Sequence, residues 1–235
     1  MRLPQVIALI FLGLSMFFPQ TVFSAPKPST CYGTTSKGRL ENGVKLPESG
    51  KNFVVYSSLG HWMGRTHVHS AVSKVVLEAY RKLQQKLPDK IFIYGETGWP
   101  EGGSFPPHRT HQNGLSVDFM VPVVNEEGES VPLPTSMFLK FGYNIEFDNK
   151  GKYDNLTIDW EALAAHLHFL EMSAQEQGMG IARVIFDPAL QPQMFKTRLG
   201  ADLKQRMKFS TKPSWVRHDE HYHVDFAVPC RKMGK

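Results

Sequence analysis

Apolar positions recur along this chain with two periods, one helical and one strand-like. From Ser70, the residues Val72, Val75, Val76, Ala79, Tyr80 and Leu83 follow helical spacing and stop near Pro88, which predicts an amphipathic helix. A second stripe of Trp160, Leu163, Ala164, Leu167 and Leu170 opens at Asp159, and its helix stops at Gly178 or Gly180. Leu115, Val117, Phe119 and Val121 alternate with Ser116, Asp118 and Met120, so one face of this strand is buried and the other carries Asp118. The same alternation over 222–228 puts Tyr222, Val224 and Phe226 on one face of a last strand and His221, His223 and Asp225 on the other. Short apolar runs at 52–57, 91–94 and 182–186 predict three further strands, and a short helix follows Pro188. The stretch 95–107, rich in glycine and proline, reads as an irregular loop. Helices and strands mix without regular βαβ repetition, which predicts an α+β fold with an antiparallel central sheet and helices packed to one side.

The ends of the chain add its setting. Arg2, an apolar run over 6–18, Pro19 and the small-residue stretch Val22-Phe23-Ser24-Ala25 read as a cleaved secretory signal peptide over 1–25, with cleavage after Ser24 or Ala25. The run is shorter than the ~18 apolar residues that suggest a membrane span, and no later stretch approaches that length, so no stable membrane insertion is expected. Residues 26–235 suffice for one domain with a substantial core. The formal net charge of +5 loses one unit with Arg2 and is not gathered into a tract. Such a mild balance gives little support to nucleic-acid binding but suits an anionic polymer such as cell wall. The two cysteines, Cys31 and Cys230, lie near the ends of the mature chain and are expected to pair as a disulfide after export. Free thiols or metal ligands are the alternative, against which stands the absence of close zinc-pair spacing.

Two histidine segments carry the candidate chemistry: His108 to Asp118 and His218 to His223. His111 and Asp118 are separated by Gly114, which allows a tight turn before the Asp118 strand. His221 and His223, two apart in a strand, share a face. His111, Asp118 and His223 supply three N/O ligands, the number that a catalytic zinc uses when its fourth position stays open. His221 then stands beside the activated water as a base, and the zinc site is expected on the open face of the sheet. Of the ten histidines, two further HxH pairs carry less. His166 and His168 fall within a helix, where residues two apart point away from one another. His67 and His69 precede the first helix in no clear strand and read as capping, packing or solvent-facing.

These residues give the chain a family resemblance. It resembles the penicillin-insensitive murein endopeptidases, within the wider group of lysostaphin-type peptidases, D-Ala-D-Ala metallopeptidases and the hedgehog domain. The resemblance runs through Gly95-Glu96-Thr97-Gly98, Glu101 to Phe105, His108 to Asp118, Arg183 to Ala189, Trp215 to His218 and His221 to Val224. It implies zinc on His111, Asp118 and His223, His221 as the catalytic histidine, and His108 and His218 as further site histidines that bind substrate or orient the ligands. It also implies a periplasmic enzyme whose partner is a peptide crosslink of peptidoglycan, hydrolysed by metal-activated water without a serine acyl-enzyme. A D-alanyl carboxypeptidase and a non-catalytic zinc-containing wall-binding module are the alternatives on the same scaffold. Residues 125–153 have no counterpart in the resemblance and read as an insertion; Trp62, Trp99 and Tyr143 are aromatic residues available to line a groove.

Overall fold

The alternation at the C-terminal end becomes the strand around which the fold is laid. The computed structural model describes residues 27–234, and the signal peptide read over 1–25 lies outside the described residues. In chain order the central sheet and its helices are β1 (Phe53–Val55), α1 (Ser70–Lys86), β2 (Phe92–Tyr94), β3 (Ser116–Met120), α2 (Trp160–Glu176), β4 (Gly180–Ile185) and β5 (His221–Ala227). The spatial order of the strands is β4-β5-β3-β2-β1.

The structure is α+β, but the sheet is mixed where a purely antiparallel one was expected. β4, β5, β3 and β2 are antiparallel neighbours, whereas β1 and β2 run parallel. The reason is α1, which carries the chain back along the sheet between β1 and β2, as a parallel pair requires a crossover connection. The start of each long helix has a specific cap. The Asp159 carboxylate accepts from the Ala162 amide at 3.0 Å, and the His69 imidazole accepts from the Ala71 amide at 3.1 Å.

Register then sorts the side chains. His223 pairs with Asp118, Asp225 with Ser116 and His221 with Met120, so all six share one face. Tyr222, Val224, Val117 and Phe119 occupy the other face, which α1 and α2 cover: the His166 ring lies 4.7 Å from Phe119 and hydrogen-bonds the Tyr222 hydroxyl, and Tyr80 stacks on His166. Val72, Val75, Val76, Leu83, Leu163 and Leu167 are almost fully inaccessible there. Each such side chain contributes roughly 1.5–3 kcal/mol by burial. A one-residue slip of β5 would exchange its faces, so the core fixes which way the histidines point.

Several elements were not foreseen, among them a short helix, Ser58–Trp62, and a two-stranded ladder of Val44–Lys45 with His67–Val68, so His67 lies in a strand after all. A hairpin, Thr30–Thr34 with Lys37–Glu41, precedes the sheet, and Cys31 within it is disulfide-bonded to Cys230 just beyond β5. The insertion-like region contributes to a small four-stranded sheet, in which Val123–Val124 and Leu156–Ile158 are flanked by Ser130–Val131 and Lys152–Tyr153. After Gln191–Phe195, the short helix expected beyond Pro188, comes a second, Gly200–Arg206. Among the described residues, no helix is long and apolar enough to cross a membrane.

Candidate metal centre

The loop before β3 is shaped to aim one imidazole. Gly114 has φ 75°, and a Cβ there would lie 2.7 Å from the His69 amide nitrogen, so the turn requires glycine. His111 itself adopts φ 68°, in the left-handed region uncommon for non-glycine residues and found disproportionately at functional sites. Its Nδ1–H donates to the Thr97 carbonyl at 3.2 Å, which leaves Nε2 with a bare lone pair. That Nε2 is buried without a hydrogen-bond partner and lies 3.3 Å from Asp118 Oδ1.

Asp118, wholly buried on β3, divides its oxygens between two sets of neighbours. Oδ1 faces His111 Nε2 and His223 Nδ1, the latter at 2.9 Å. Oδ2 faces the Tyr143 hydroxyl at 3.2 Å, His108 Nδ1 at 3.8 Å and His221 Nε2 at 4.0 Å. His223 is fixed from behind: its Nε2–H donates to Asp225 Oδ1 at 2.8 Å, and Asp225 also accepts from Ser116 Oγ and Arg183 Nε, each at 2.6 Å. A carboxylate behind an imidazole is how proteins orient a metal-binding histidine and raise its basicity.

Charge states follow from this packing. Burial pushes His111 below its ordinary value, keeping it neutral. Burial also opposes charge on His223, but Asp225 and Asp118 outweigh it and raise the group to about 10. Desolvation likewise opposes ionisation of Asp118, yet His111, His221 and His223 hold it well below the carboxylate range. Two imidazole nitrogens thus converge on one carboxylate oxygen: His223 Nδ1–H donates to it, while His111 Nε2 turns a bare lone pair toward it, a repulsion that a cation would relieve. Among the described residues, the group whose ligand atoms all lie within 4.8 Å of one another is His108, His111 and Asp118, with His108 where the sequence pointed to His223, and this cluster could hold a metal ion.

His108 differs from the other two histidines in how it is tied. Its Nε2 lies 2.5 Å from Glu96 Oε2, and Glu96 also accepts from the Tyr56 hydroxyl at 2.8 Å and from Arg65. Burial alone would raise Glu96, but hydrogen bonds from His108 and Arg65 hold it at about 2. The carboxylate in turn raises His108 despite its burial. His221 is lowered to about 4 by burial, so its imidazole is neutral, and its Nδ1 lies 2.8 Å from Glu220 Oε1. Burial raises Glu220 to about 8, against the opposing pull of hydrogen bonds from its own backbone and from Asp219. His218 packs against His221 with ring centroids 4.5 Å apart and the rings tilted by 35°, donates Nδ1–H to the Val216 carbonyl at 2.7 Å, and is lowered to about 3 by burial and by His221. Beside it opens a cavity of about 310 Å³ between 185–188 and 213–218.

The histidines singled out from the sequence therefore meet around Asp118, while His166 faces the core and His69 caps α1. The face carrying the cluster is free of the long helices, yet it is roofed by loops: His111, Asp118, His221 and His223 are each at most 3% exposed. Glu96 and Glu220 were missed as site residues, and Tyr143, expected at most to line a groove, instead hydrogen-bonds Asp118. Glu220 stands just before the strand alternation begins, and Glu96 and Tyr143 reach the site only through contacts distant in sequence. Trp62 stands 78% exposed, and Trp99 packs edge-on against Phe105.

Fold and site together define a mixed α+β protein with a buried histidine–aspartate cluster suited to a metal. A family model, penicillin-insensitive murein endopeptidase, matches residues 31–234, and the chain belongs to that family. A search of curated proteins finds no match.

Proposed function

We propose that the chain is a zinc-dependent endopeptidase that hydrolyses D-amino-acid peptide crosslinks of peptidoglycan. Family membership supports murein endopeptidase activity, and the observation that carries the metal reading is the unpaired, buried His111 Nε2 converging with His223 Nδ1 on Asp118 Oδ1. His111, Asp118 and His223 would hold the ion, a ligand set that suits zinc. Zinc bound there supplies Lewis acidity, making water a nucleophile near neutral pH and polarising the scissile carbonyl.

The protein's own groups do the rest. His221, neutral and with Nε2 on the Oδ2 side of Asp118, takes the proton of the attacking water and returns it to the leaving amine as the amide C–N bond breaks. Glu220 accepts from its Nδ1–H and keeps Nε2 free. His108, held by Glu96, offers positive charge near the developing oxyanion, and His218 packs the base in place. In this reading residues 26–235 form one catalytic domain, exported to the periplasm after removal of the leader, and the absence of a serine acyl-enzyme makes turnover indifferent to β-lactams.

The test is a pair of variants read for metal and turnover separately. His111→Ala is expected to lose stoichiometric zinc and all activity. His221→Ala should retain zinc while crosslink hydrolysis falls by at least ~100-fold. Full turnover in His221→Ala would remove it as the base, and consumption of free pentapeptide stems instead of crosslinked dimers would make the enzyme a carboxypeptidase.

A further inference from the structure

The insertion-like region sends one side chain into the site. Tyr143 follows Lys140, Phe141 and Gly142, three consecutive residues with positive φ of 47°, 60° and 96°. Non-glycine residues hold such conformations only where the surroundings over-determine them. The segment is anchored by the buried Ile145 and Phe147, and the Phe147 amide donates to Asp219 Oδ2 at 2.5 Å. The Tyr143 ring stands edge-on to His221 at 4.9 Å and to His108 at 5.9 Å. Its hydroxyl accepts from the Glu96 amide at 3.1 Å and donates to Asp118 Oδ2 at 3.2 Å.

A second observation reserves this place. A Cβ on Gly95 would lie 2.7 Å from the Tyr143 hydroxyl and 3.0 Å from Asp118 Cβ, although Gly95 has no positive φ that would itself demand glycine. Glycine at 95 therefore leaves room for the phenol against the carboxylate.

We infer that Tyr143 is a positioning residue whose O–H pins Asp118 Oδ2 and so turns Oδ1 alone toward His111 and His223 as a one-oxygen metal ligand. The inference rests on the metallopeptidase reading above and deepens it. The role of the 125–153 region is then to complete the metal site with a donor that β3 and β5 do not supply. Outer hydrogen-bond partners of this kind typically change metal affinity by ~10–100-fold.

Tyr143→Phe keeps the ring and removes the donor. Zinc dissociation constants measured by competition with a chromophoric chelator are expected to rise at least ~10-fold. With cobalt(II) as the probe metal, the visible absorption is expected to weaken, because a carboxylate free to bind through both oxygens raises the coordination number. Gly95→Ala, which leaves Tyr143 in the chain and displaces its hydroxyl, should move both readouts in the same direction and serves where Tyr143→Phe fails to fold. Wild-type zinc affinity and cobalt spectrum in the folded variants would overturn the inference, and a loss of turnover alone would assign the hydroxyl to substrate instead. A wild-type protein that binds no zinc would overturn the metallopeptidase reading itself and this inference with it.

Discussion

Asp118 is the residue on which the site turns, since each of its oxygens faces a different set of groups. The charged network behind it makes its own prediction. Glu96 is held at about 2 in the folded chain against an ordinary 4.5, so the folded state favours its ionised form. The stability it contributes is present above pH 4.5 and is lost as pH falls through about 2. It is on the order of 3 kcal/mol. Urea unfolding of metal-free protein across pH 2–6 should show this loss, and Glu96→Gln should flatten it; an unchanged profile would mean that Arg65 and His108 do not depend on the carboxylate. Glu220→Ala should lower turnover by ~10–100-fold with zinc content intact, because the base loses the acceptor that orients it. Zinc loss in that variant would instead place Glu220 in support of the metal ligands. Strand alternation made legible the face on which His223 and Asp118 each lie, but not that their strands are neighbours with the two residues in register. Tyr143 was not, because its contact with Asp118 comes from a loop whose path no local pattern encodes.

At the scale of elements, the turn between His111 and β3 is the most constrained. Gly114→Ala would place a Cβ against the His69 amide in a backbone conformation that disfavours it, at a cost of about 1–3 kcal/mol. The melting temperature of the variant should fall, and His111 should lose its aim, which a titration with zinc would show as weaker binding. A Gly114→Ala protein as stable as the wild type would mean that the turn relaxes freely. α1, α2, β3 and β5 were all readable from the spacing of their apolar residues, although β3 and β5 prove buried on both faces, the polar one within the histidine–aspartate cluster. The parallel β1–β2 pair was not, because periodicity reports burial and not strand direction. The N-terminal hairpin escaped for a related reason: Lys37–Glu41 buries only Gly38 and Leu40 between exposed neighbours, too short an alternation to register.

Across the whole molecule, the Cys31–Cys230 bridge ties the N-terminal hairpin to the segment after β5 across 199 residues of sequence. Loop closure on that scale disfavours the unfolded chain by on the order of 5 kcal/mol in the chain-entropy model. Reduction, or Cys31→Ser with Cys230→Ser, is therefore expected to lower the melting temperature by about 10 °C or more, read by calorimetry. An unchanged melting temperature would show that the reduced chain is restrained in other ways. Charge places the molecule less sharply: a formal +5 over 235 residues suits an anionic wall polymer without specifying one.

The central claim is metal-dependent cleavage of wall crosslinks, and its most direct test is digestion of purified crosslinked peptidoglycan by the mature protein, with muropeptides resolved by mass. The account predicts that dimers become monomers, that a chelator stops the conversion, and that added zinc restores it. Dimers left intact by folded, zinc-loaded protein, or cleavage that proceeds unchanged in chelator, would contradict it.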